Sequence, residues 1–340
     1  MDTDHLDKET SVSAELTPTT LKASAKSRLV AAIDRLGGNV VEMLNAPMEA
    51  RTSAKRAEAE AKRRVLQEIT QLGLDRLKND SKFAERAFET YLGRVFESQE
   101  NKDAVLAEAI EDLRREPPTD QESLTGPEEL SGAFQNRFER YAEEATTAEL
   151  REKWGRVLAA EIRKPDTFSS KVLRVIDELD HDTAKLFERV CQYRIVNTIP
   201  KSLLDPLSFI DGARLTNADL LIEPGLGQVR KSVVTTDGTG AELWFWQFVS
   251  TAIAATKMPI VSAVDRVIQE MDGVACIPAY VLTDVGCAVS TILPNDEKNL
   301  VDMLAEKLSA AMPSAEVRKY VRVPDGTGFA EIGVLPSRMS

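Results

Sequence analysis

Histidine and cysteine, the side chains that most often do nucleophilic, acid–base or zinc chemistry, number only two and three in this chain. His5 lies in a polar N-terminal tail and His181 at a helix start within LDHDTAKLF, so a histidine-based triad has one candidate in the folded body and no evident companion. Cys191, Cys276 and Cys287 are far apart, form no CxxC pair, and sit in apolar runs such as VACIPAY. They read as small buried hydrophobes of a reducing compartment. Carboxylates are plentiful, yet no spacing marks a metal site. Glu161, inside the apolar stripe of LAAEIRKP, is the acid whose position predicts burial, with a salt bridge or a helix-end contact as its role. These residues assign no catalytic group, no metal ligand and no cofactor.

The cations are more informative. Residues 229–240 read VRKSVVTTDGTG and residues 317–328 read VRKYVRVPDGTG, identical at eight of twelve positions with a uniform offset of 88. Each copy predicts a strand, a turn and a returning strand, so two similar β-hairpins are expected. Arg230, Lys231, Arg318, Lys319 and Arg322 then become the candidate partner-binding residues, a basic surface for an anionic partner such as a nucleic-acid backbone. The competing reading is that these side chains solvate the outer faces of edge strands. The DGTG strings lack the lysine and following helix of a phosphate-binding P-loop.

The elements that position these residues follow from periodicity. Leu150, Trp154, Val157, Leu158 and Ile162 recur at three- and four-residue steps, which writes one helix stripe that Pro165 stops. Ser169 or Thr167 caps a second helix through Val172, Leu173, Ile176 and Leu179, and Asp180 caps a third through Ala184, Phe187 and Val190. Residues 29–115 read as helical throughout, and EPPTDQESLTGPEEL, with three prolines and one glycine, reads as a linker at 116–130. Residues 1–28 read as a disordered tail. Beyond Ile195 the runs VRKSVVTT, ELWFWQF, ACIPAYVLT and VRKYVRV read as strands, with helices at Ile260–Met271, Val285–Leu293 and Asn299–Ala311 between them. The fold class expected is mainly α: a helical N-terminal region, a helical hairpin core at 131–198, and an α+β, winged-helix-like region at 199–340 with two β-hairpins.

Length, charge and hydropathy narrow the classes. The 340 residues, 43% hydrophobic, suffice for two or three domains. The 43 basic and 55 acidic residues give a net charge of −12, which disfavours generic attraction to phosphate. No apolar run reaches a membrane span, and a cytoplasmic location is expected.

The residues Trp154, Leu158, Ala159 and Glu161 in WGRVLAAEI, Pro165, Phe168 and Ser169 in KPDTFS, Leu173, Leu179 and the DTAKLF helix resemble the bacterial family called domain of unknown function 2806. Tyr280, Leu282, Thr283 and Gly286 in AYVLTDVG extend that resemblance, which covers residues 140–310 with gaps. The chain differs from the family's pattern at Cys287 and Ala288, where charged residues are expected. The layout also resembles abortive-infection proteins of the alpha type. What the resemblance implies is no established activity and a place among candidates for phage defence. In AYVLTDVG a strand runs into a helix that Thr283 or Asp284 caps, with Gly286 where a side chain would obstruct close packing.

The expectation from sequence is therefore a bacterial interaction protein, and not an enzyme, that binds a protein or nucleic-acid partner, with self-association through the N-terminal helices. Two alternatives stay open: a carboxylate-based metal-dependent hydrolase, and a membrane-surface adaptor working through residues 29–64.

Overall fold

The computed structural model describes residues 23–36, 64, 81–119, 122, 126–127, 129–225, 228–260, 266–323 and 328–335. The expectations placed on residues 1–22 and on most of 37–80, including the membrane-adaptor segment beyond Leu36, lie outside these. No helix among the described residues is long and apolar enough to cross a membrane. The chain divides into two compact units, 1–173 and 174–340.

The first unit is helical. Its described helices are α1 (Ala23–Leu36), α2 (Ser81–Arg115), α3 (Gly132–Glu143) and α4 (Ala148–Arg163), followed by the start of α5 (Ser170–Glu178). Ser131 caps α3 and Thr147 caps α4, each side-chain oxygen accepting a backbone N–H three residues on. The C-terminal half of α2 packs on α3 and α4 through the buried Val105, Leu106, Ala109, Ile110 and Leu113. The stripe of α4 is fully inside: Trp154, Val157, Leu158 and Ile162 are buried. Trp154 stacks on Tyr141 at 4.6 Å between ring centroids and meets Phe138 edge-on at 6.1 Å. Gly155 lets α4 and α2 touch, because a Cβ there would fall inside the Glu108 side chain. The first helix begins at Ala23, ahead of Leu29, and its Arg28 is completely buried.

The second unit is α+β. Helices α6 (His181–Cys191), α7 (Phe209–Asn217), α8 (Asp284–Ser290) and α9 (Glu297–Ala311) accompany two antiparallel sheets. The smaller sheet orders β1 (Thr198–Pro200), β7 (Val274–Val281) and β2 (Val229–Lys231), with β6 (Gln269–Met271) also on β7. The larger orders β3 (Val233–Thr236), β4 (Glu242–Gln247), β5 (Thr251–Thr256), β8 (Val317–Arg322) and β9 (Phe329–Leu335). Alternation along β4 turns Trp244 and Trp246 inward, where they join Ile253, Ala255 and Val317 and the α9 residues Leu300, Val301, Leu304 and Leu308 in one apolar cluster. Asp180 caps α6 and Thr283 caps α8, and a Cβ on Gly286 would fall inside the Leu220 carbonyl, so the glycine is required by close approach.

Two corrections follow. The architecture is mixed α+β, not mainly α; strands as short as β1 and β6 are too brief to show a period of two in the sequence. The helix read at Ile260–Met271 is also wrong where the structure describes it. Gln269–Met271 is a strand, and Asp272 and Gly273 at φ 54° and 73° turn it back onto β7. An Asp-Gly turn between short strands takes precedence over helical spacing when a neighbour supplies the ladder.

Candidate partner-binding surface

The repeated segments form two hairpins, β3–β4 and β8–β9, at opposite edges of the five-stranded sheet with β5 between them. The copies then diverge. In the second, Val317–Arg322 is one continuous strand, whereas in the first the chain leaves the small sheet after Lys231 and enters the large one at Val233. Ser232 is the joint, its N–H donating to the Ala275 carbonyl at 2.9 Å.

The five candidate cations are accordingly divided. Arg230 and Lys231 lie on β2, and Arg318, Lys319 and Arg322 on β8. Arg318 donates to Asp237 Oδ2 at 3.0 Å and to Glu316 Oε1 at 2.7 Å, with Glu331 at 4.0 Å. These carboxylates push its ionisation upward, Glu316 most of all. Lys319 points to the other face and meets Asp302 of α9 at 2.7 Å. Arg322 donates to the Val249 carbonyl at 3.0 Å and lies over the Phe329 ring at 4.8 Å. Lys231 pairs with Asp272 at 3.3 Å on the surface. Arg230 donates to the Gln247 carbonyl at 2.5 Å and stacks on Phe248 at 4.9 Å. Each of the five thus has an acceptor or ring of its own chain.

Sequence reasoning missed a second feature, the face of the large sheet turned away from α9. Register aligns Val233, Phe245, Ala254, Arg318 and Val334 in one row across all five strands. Phe245 packs edge-on against Tyr320 at 5.8 Å and Phe329 at 5.6 Å, roofing the buried Ala252 and Ala254. Val233 and Val334, at the two ends of the row, are 60% and 48% exposed. Asp237, Glu316 and Glu331 surround its one central cation. The alternation in ELWFWQ and VRKYVR carries this signal, but which face meets α9 is decided by pairing.

The buried ionisable groups are structural in arrangement. Glu161, 1% exposed, accepts the N–H of Asp166 at 2.8 Å, Thr167 at 3.1 Å and Phe168 at 3.0 Å, which fulfils the expected helix-end role. Burial pushes its carboxyl up and these N–H groups pull the other way. Arg28 donates to the carbonyls of Pro127 at 2.8 Å and Ile162 at 3.0 Å, tying α1 to the linker and to the end of α4. His181 is exposed at the first position of α6. Cys191 and Cys276 are buried and Cys287 is half-buried, all as free thiols, and burial pushes Cys191 up to about 12. No group of three His, Cys, Asp or Glu with metal-holding geometry occurs among the described residues.

Residues 85–204 match the family model described as Protein of unknown function (DUF2806). The match extends upstream of the motifs on which the resemblance was read and ends before AYVLTDVG. No curated protein and no solved structure matches the chain.

Proposed function

We propose that this chain, whose residues 85–204 belong to the DUF2806 family, is an interaction protein that holds a protein partner on the outer face of the five-stranded sheet. The observation that carries this reading is the Val233–Phe245–Ala254–Arg318–Val334 row, an aromatic roof with exposed aliphatic ends and a cation already matched by carboxylates. Aromatic and aliphatic side chains around a neutralised arginine suit a protein surface, whereas phosphate would meet Asp237, Glu316 and Glu331 first. In this reading the β8–β9 hairpin serves as a wing, the use that a winged-helix-like region implies, and the partner belongs to phage defence.

The test is co-purification from the native host under reversible crosslinking, comparing the wild-type chain with Val233→Glu/Val334→Glu. Both positions are exposed, so circular dichroism and melting stay as in wild type. Loss of the same specific partner in the variant is the expected result. Retention of that partner, or its replacement by nucleic acid, overturns the reading. Plaque counts on hosts with and without the gene test the defence role.

A further inference from the structure

Phe209 and Ile210, the first two residues of α7, are 91% and 70% exposed, and Ile222, a few residues beyond the end of the same helix, is 47% exposed. The backbone around them is well anchored. Ser208 caps α7 by accepting the Asp211 N–H at 3.0 Å, and Leu215 is buried one turn and a half along the helix. Ile222 donates its N–H to the Val281 carbonyl at 2.9 Å. A Cβ on Gly212 would stand 3.4 Å from Pro224, so the segment that carries Ile222 returns along α7 one turn beyond Phe209.

Burying a phenylalanine or isoleucine side chain is worth about 1.5–3 kcal/mol, and two of them held in water on an ordered helix start mark a surface that another molecule covers. The charges around them identify the kind of molecule. Residues 205–225 hold four acids, Asp205, Asp211, Asp219 and Glu223, against one base, Arg214. Asp205 and Glu223 flank the apolar residues in the chain and are exposed. Arg189 of α6 offsets Asp211 at 3.8 Å, and the surplus remains negative. Anionic lipid or nucleic-acid phosphate would be repelled by these carboxylates, whereas lysine or arginine beside apolar side chains would be attracted.

We propose that the start of α7 is a docking surface for a basic amphipathic segment of another protein: Phe209, Ile210 and Ile222 receive its apolar side chains, and Asp205 and Glu223 its lysines or arginines. The surface shares no residue with the sheet face proposed above, and neither reading depends on the other. The aromatic and aliphatic anchors supply the affinity, and the acidic rim selects the partner by charge.

Fluorescence anisotropy of the full chain with a labelled synthetic peptide of leucine and lysine, its leucines at helical three- and four-residue spacing, tests this. A peptide with glutamate in place of every lysine is the control. Saturable binding of the lysine peptide is expected, and the control should bind at least about tenfold more weakly. Phe209→Ser/Ile210→Ser should weaken the lysine peptide by about tenfold or more with melting unchanged, since both side chains are exposed. Asp205→Asn/Glu223→Gln should weaken it several-fold, and Val233→Glu/Val334→Glu should leave it as in wild type, which separates this surface from the sheet face. Absence of binding, equal binding of the two peptides, or binding indifferent to Phe209→Ser/Ile210→Ser overturns the proposal. Flotation with phosphatidylcholine–phosphatidylserine vesicles that is lost in Phe209→Ser/Ile210→Ser also overturns it, by assigning the surface to lipid.

Discussion

Asp237 and Arg318 join the two copies of the repeated segment: the aspartate of the first copy's turn accepts from the arginine of the second copy's strand at 3.0 Å. The same carboxylate accepts from Thr239 Oγ1, Thr239 N and Ala241 N, so one side chain closes its own turn and fixes a neighbouring hairpin.

Those donors, the Thr239 hydroxyl foremost, pull the Asp237 carboxyl down to about 2. A carboxyl depressed in the folded state contributes stability that is complete above its ordinary value of about 3.9 and is lost as pH falls toward the depressed value. Denaturation midpoints measured from pH 5 to pH 2 should fall, and Asp237→Asn should flatten that fall.

Glu161 has the opposite sign. Its carboxyl is raised by burial, so the folded chain holds its proton more tightly than the unfolded chain does. The contribution of this group to stability therefore falls as pH rises from the ordinary glutamate value, about 4.3, through the raised one. Glu161→Gln should remove that slope. It should also destabilise by about 1–3 kcal/mol, because an amide NH2 would face backbone N–H groups that now have acceptors. Urea unfolding at two pH values checks both.

Gly286→Ala places a methyl group inside the Leu220 carbonyl, and Gly155→Ala places one inside the Glu108 side chain. Each should cost about 1–3 kcal/mol, with Gly286→Ala the greater because backbone has less room to give than a side-chain stem. Trp154→Ala, which empties the stacked position beside Tyr141, should cost about 3–5 kcal/mol. Chemical denaturation curves are the measurement.

The three thiols should separate by reactivity. Cys191 and Cys276 are buried and Cys287 is half-buried, with burial raising all three. An aromatic disulfide reagent at pH 8 should label Cys287 first and slowly, and should reach the other two only on unfolding.

The stripe of α4, the Asp180 and Thr283 caps and the crowding at Gly286 were legible in the sequence, because each depends on residues a few positions apart. The repeat likewise announced its hairpins. What was hidden depends on distant partners. Arg28 looks like a surface residue of a polar segment, yet its acceptors lie 99 and 134 positions away. Arg194 gives no local sign that Ser290 will meet it. The identity of the two VRK strings conceals that one stays in a single sheet and the other leaves it, since the choice rests with β7 and not with the segment itself.

That departure has a mechanical meaning. With one residue, Ser232, between the last pairing to β7 and the first pairing to β4, there is no slack between the two ladders. A displacement of β3 is therefore passed through Ser232 to β2 and to its ladder with β7.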